Sequence, residues 1–177
     1  MKRLLIIINL LSVVLFIVFY LLFFSIYFLI FDLKYFDILY FYNTFKSSSY
    51  IHAIVLIILL IVILIIHELI HGVFFYIYTG ERPTIGFKGI YGYAGAPGWY
   101  IKKDQFYIIS LSPLILITIL GFIIIQIIPE DYSTVVFLVI TVNAAGSIGD
   151  MWISMKLLKK PKETYVNDTG LSITIKY

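Results

Sequence analysis

From Leu4 to Phe31 the chain runs 28 residues without a charged side chain. As a helix, a run of that length crosses a hydrocarbon layer of about 30 Å with room to tilt, so a membrane span is the first expectation. Composition points the same way. With 62% hydrophobic and 13% charged residues and a mean hydropathy of +1.03, the chain is too apolar for a soluble globular domain. A secretory signal would have a shorter apolar core and then a small-residue cleavage site; none follows, so the segment is expected to stay as an anchor.

Three further spans can be read. The second runs from about Ile51 to Thr79 and stops at Gly80 and Pro83, a helix-ending pair. The third covers about 106–128, with Pro113 near its start and Pro129-Glu130-Asp131 as its exit, and the fourth about 134–158. The expected fold class is an all-α membrane protein: one domain over 1–177 with four transmembrane helices, at about 4–31, 51–79, 106–128 and 134–158. The connection from Asp32 to Tyr50 is rich in Tyr and Phe and suits an interfacial aromatic belt, with His52 at the same edge. Residues 80–105 hold six of the eleven glycines, interleaved with Tyr91, Tyr93, Trp99 and Tyr100, and read as a hairpin-like loop. In the tail, 159–177, the alternation of LSITIKY after Asp168-Thr169-Gly170 predicts one short strand.

The thirteen Lys and Arg residues divide as two before the first span, two in the first loop, four in the second, none in the third and five from Lys156 onward. By the positive-inside rule both termini and the 80–105 loop face the cytoplasm of a multi-pass cell-membrane protein. The net charge of +3 is thus spread over membrane flanks, with no basic surface for nucleic acid. The chain has no cysteine, so disulfides, thiolate ligands and cysteine nucleophiles are excluded.

Within the second span lies ILIIHELIHGVFF, residues 63–75. On a helix His67 and His71 project from one face about 6 Å apart along the axis, close enough to share a metal ion. H-E-x-x-H is the zincin spacing, in which two neutral imidazoles hold Zn2+ and the glutamate, here Glu68, acts as general base on zinc-bound water. An ionisable side chain in hydrocarbon costs about 2.5–3.5 kcal/mol, so polar groups here call for a function.

The other carboxylate inside a span is Asp150. His67 follows Ile51 by sixteen residues and Asp150 follows Thr134 by sixteen, in spans that run the same way. Each therefore sits about 24 Å from the outer face, and Asp150 is the candidate third ligand. The run NAAGSIGD, 143–150, is rich in small residues that let helices approach closely. Asn143, two turns before Asp150, is a candidate for hydrogen-bonding a substrate backbone or a ligand.

In HELIHG (67–72), LSP (111–113) and N-x-x-G-S-x-G-D (143–150) the chain resembles a family of integral-membrane zincin peptidases, similar in layout to the site-2 zinc metalloproteases. The resemblance covers most of the chain from the second span onward, including the tail strand. It implies a zinc-dependent intramembrane peptidase with ligands His67, His71 and Asp150, catalytic Glu68, and a membrane-protein or peptide substrate in the lipid bilayer. Site-2 proteases carry a proline between the asparagine and an Asp-Gly pair; here Met151 follows Asp150.

Other readings of the same residues stay open at the sequence level. The cluster could be an ion pathway or a helix-packing network, as in a metal-binding membrane transporter or a non-catalytic membrane subunit. Four helices without an inverted repeat are few for a carrier. Glu68 discriminates, because a transporter could tolerate its replacement by glutamine and a peptidase could not.

Overall fold

The computed structural model describes residues 2–31, 49–89 and 91–177. The aromatic connection up to residue 48 and the side chain of His52 lie outside the described residues. In chain order the elements are α1 (Lys2–Phe31), α2 (Ser49–Thr79), β1 (Thr84–Lys88), β2 (Tyr91–Gly95), β3 (Ile101–Lys102), α3 (Lys103–Ile127), α4 (Glu130–Gly146), α5 (Ile148–Leu158), β4 (Tyr165–Asp168) and β5 (Ile173–Lys176). The protein is mostly helical, with a few short strands. Among the described residues three helices, in α1, α2 and α3, are long and apolar enough to cross a membrane, and α4 with α5 make a fourth if counted together.

The fourth span, expected as one helix over 134–158, is two, parted at Ser147. Gly146, Ser147 and Gly149 are weak helix formers. The Ser147 amide and hydroxyl both donate to the Asn143 carbonyl, at 3.0 and 2.9 Å, and close the end of α4. The chain restarts at Ile148, which puts Asp150 in the first turn of α5, where unpaired amides favour a carboxylate.

Two compact units emerge, and both are discontinuous in sequence: Met1–Ile63 with Leu116–Ile148, and Leu64–Ile115 with Gly149–Tyr177. In the first, α1 packs on α4 through aromatic edges. Tyr20 meets Phe137 with ring centres 5.4 Å apart, and Phe23 meets Phe122 of α3 at 5.5 Å, both T-shaped. Such pairs add about 0.5–1.5 kcal/mol beyond burial. Gly121 lets α3 come close to α4, since a Cβ there would overlap the Ile140 side chain.

In the second unit β1 and β2 form an antiparallel hairpin, Thr84 opposite Gly95 and Lys88 opposite Tyr91, while β3, β4 and β5 form an antiparallel sheet with β4 central. Its core includes Phe75, Ile101, Phe106, Ile109, Leu157 and Val166, drawn from α2, β3, α3, α5 and β4. The end of α2 is fixed by Gly80 at φ 72°, whose amide donates to the Tyr76 carbonyl at 2.8 Å. The next residues then turn back along the helix. Gly72 of α2 makes this possible, because a Cβ there would come within 2.7 Å of Ile85 on β1.

Candidate metal centre

The last turns of α2 carry His67, Glu68 and His71, and the first turn of α5 carries Asp150, all within the second unit. Both histidines are buried and Asp150 is half-buried. The two imidazoles stand edge to face with centres 4.8 Å apart and their Nε2 atoms 3.2 Å apart. Asp150 straddles them, with Oδ2 3.3 Å from His67 Nε2 and Oδ1 3.4 Å from His71 Nε2. One ligand atom from each of the three residues lies within 4.8 Å of the others.

The protonation of His71 follows from its other nitrogen. Nδ1 lies 2.9 Å from the carbonyl oxygen of Ile109, which can only accept, so Nδ1 carries the proton. A neutral ring then presents Nε2 as a bare lone pair, the form a metal requires. Two ring nitrogens and two carboxylate oxygens thus converge on one small space. Donors about 2.0–2.1 Å from a tetrahedral ion are about 3.3–3.4 Å from one another, which is the spacing found here. His67, His71 and Asp150 could therefore hold a zinc-sized cation, and their N/O donor set suits one.

Asp150 is also held through its backbone. Ser110 on α3 donates to the Asp150 carbonyl at 3.0 Å, and Ser154, one turn along α5, donates to the Ser110 hydroxyl at 3.2 Å. Two consecutive residues of α3, Ile109 and Ser110, thus touch a histidine of α2 and the aspartate of α5. Ser154 has a signal in the sequence, a hydroxyl one turn from a key carboxylate; Ser110, forty residues from Asp150, has none.

Glu68 is half-buried and faces β2. A Cβ at Gly92 would lie 2.7 Å from Glu68 Cγ and 3.4 Å from its Oε1, and the Ala94 amide is turned toward the same carboxylate. The hairpin therefore runs along the face of α2 that carries the glutamate. A glycine is needed at 92 for that approach. A further carboxylate, Asp168 at the end of β4, is absent from the sequence-based candidates. Burial pushes it up to about 6, the charges of Asp150 and Glu68 act in the same direction, and the Gly170 amide and His71 oppose them. The Gly170 amide donates to its Oδ1 at 2.7 Å. Asn143 belongs to the other unit, where it is buried near the end of α4.

Residues 60–165 match the model of a family described as "Putative zincin peptidase". The chain belongs to this family. The zincin peptidase match takes in His67, Glu68, His71, Ile109, Pro113 and Asp150, and it ends before the tail strand, so the likeness is shorter there than the sequence resemblance implies. The family's name implies zinc. No curated protein and no solved structure matches the chain.

Proposed function

We propose that this zincin peptidase family member is a zinc-dependent intramembrane peptidase, cutting a peptide bond in or beside a membrane span of a protein or peptide substrate. The observation that carries the reading is the convergence of His67 Nε2, His71 Nε2 and the Asp150 carboxylate at 3.2–3.4 Å, one residue away from Glu68. The two imidazoles bind as neutral donors, and Asp150 supplies the negative charge that offsets a cation in an apolar setting. A zinc ion bound there supplies Lewis-acid polarisation of a carbonyl and lowers the pKa of water.

The remaining work falls to the chain itself. Glu68 takes a proton from the attacking water as the water oxygen bonds to the scissile carbonyl carbon. It then delivers that proton to the amine nitrogen as the C–N bond breaks. A helical substrate has to unwind first, because its carbonyls are bonded within the helix. Once extended, a segment lying along β2 would pass Glu68, a strand-addition mode of peptide recognition. With both termini cytoplasmic, the end of α2 at Thr79 is the nearer membrane face, about 12 Å from His71, so water enters and the cut falls on the cytoplasmic side.

The experiment is Glu68→Gln in detergent-purified protein. Metal content stays near that of the wild type and cleavage of a membrane substrate, found by comparing membrane proteomes, falls about 10²–10⁴-fold. Equal cleavage by the two proteins would instead favour the transporter or non-catalytic-subunit reading.

A further inference from the structure

Pro113 lies inside α3 rather than at its start. A proline there has no N–H to give to the carbonyl four residues earlier, and that carbonyl belongs to Ile109. This is the oxygen that receives His71 Nδ1–H at 2.9 Å, together with the Ser112 hydroxyl at 2.9 Å. Ile109 is 1% exposed, so water does not supply a donor. We infer that Pro113 is a positioning residue of the metal centre: by withholding its own N–H it leaves the Ile109 carbonyl to His71 and sets that ring as the Nδ1–H tautomer with Nε2 bare.

The chemistry is a competition for one acceptor. A carbonyl has two lone pairs, and here both are taken from outside the helix ladder, by an imidazole of α2 and by a neighbouring hydroxyl. An ordinary residue at 113 would bring a third donor, along the helix axis and at no entropic cost. His71 would then lose its orienting partner and share its proton between the two nitrogens. Outer partners of this kind change metal affinity by about tenfold to hundredfold. Helix propensity argues in the opposite direction, since Ala is about 3 kcal/mol better than Pro in a helix interior. A loss of metal binding accompanied by no loss of stability is therefore a signature that general damage to the helix does not produce.

The inference rests on reading His71 as a metal ligand, and the test separates the two. Metal-stripped protein in detergent is titrated with Zn2+ against a chelating dye, and the His71 tautomer is read from ¹⁵N shifts of the labelled, metal-free chain. In the wild type His71 is protonated at Nδ1. In Pro113→Ala, Zn2+ binding weakens about tenfold to hundredfold and the ¹⁵N shifts move toward a mixture of tautomers, with no drop in thermal midpoint. Moving the proline two places, Leu111→Pro with Pro113→Ala, keeps a kink and the Ser112 hydroxyl but frees the carbonyl of Tyr107 instead, and the loss persists.

Restored Zn2+ binding in the moved-proline variant would make Pro113 a simple kink and overturn the inference, as would Pro113→Ala binding Zn2+ within twofold of the wild type. So would a wild-type His71 protonated at Nε2, a result that needs no variant to fold. If the wild type binds no Zn2+, the proposed function fails, and the tautomer shift in Pro113→Ala still decides the role of the proline.

Discussion

The two compact units satisfy their polar groups in different ways. In the unit containing α1 and α4, Ser25 donates to the Leu21 carbonyl, Thr141 to Phe137 and Ser147 to Asn143, each bond closing over four residues of one helix. The other unit has such bonds too, Thr79 to Phe75 and Ser112 to Ile109, but there polar side chains also reach across elements. His71 donates to Ile109, Ser110 to Asp150, Lys103 to the Lys160 carbonyl and Asn167 to Trp99, over 38 to 68 residues of sequence. A back-bonded hydroxyl satisfies itself within its own helix and fixes no neighbouring element. A cross-element bond commits two particular helices to one register. The candidate metal centre is in the unit built that second way, where His67, His71 and Asp150 converge.

That contrast can be broken by substitution. The largest expected effect on stability is in the shape-packed unit. Gly121→Ala sets a methyl into Ile140 and should cost about 1–3 kcal/mol in detergent unfolding, yet leave Zn2+ affinity within twofold. A matching fall in Zn2+ affinity would mean that the two kinds of packing are not separable.

Ser110→Ala should do the reverse. It deletes the donor to the Asp150 carbonyl and the acceptor of Ser154, so Zn2+ affinity should fall about tenfold in chelator competition, with a smaller change in unfolding. Unchanged affinity would show that α5 holds Asp150 without help from α3.

The smallest effect concerns Asp168. Its folded pKa, about 6, is above its ordinary 3.8, so protonation favours the folded state. The linked stabilisation is fully present below 3.8 and is lost as pH rises through about 6. Asp168→Asn keeps an oxygen for the Gly170 amide and cannot ionise. It should raise the thermal midpoint near neutral pH by about 2–4 °C, the response of a chain this size to about 1 kcal/mol, with the gain vanishing below the carboxyl's ordinary range. A gain independent of pH would remove ionisation as its cause.

Much of this was legible in residue order. Apolar length marks the spans, and the four-residue spacing of His67 and His71 puts them on one helix face because a helix repeats locally. Asp150 is found by its depth, counted from the span ends and so fixed only to within a helical turn. The break at Ser147 was not legible, since NAAGSIGD satisfies close packing of one helix as well as the end of one and the start of another. Ser110, the Ile109 carbonyl and Gly92 were hidden for a related reason. Their roles depend on which backbone atom faces which side chain across elements, and neither periodicity nor composition carries that information. Pro113 lies between the two cases: its missing N–H can be read from sequence, but the ring that uses the freed carbonyl cannot.

The central claim is that His67, His71 and Asp150 hold one metal ion, and elemental analysis of detergent-purified protein tests it most directly. The expected result is about one zinc per chain in the wild type, in keeping with a four-coordinate site of three protein ligands, and loss of that zinc in each of His67→Ala, His71→Ala and Asp150→Ala. Full zinc retained by His67→Ala would contradict the account.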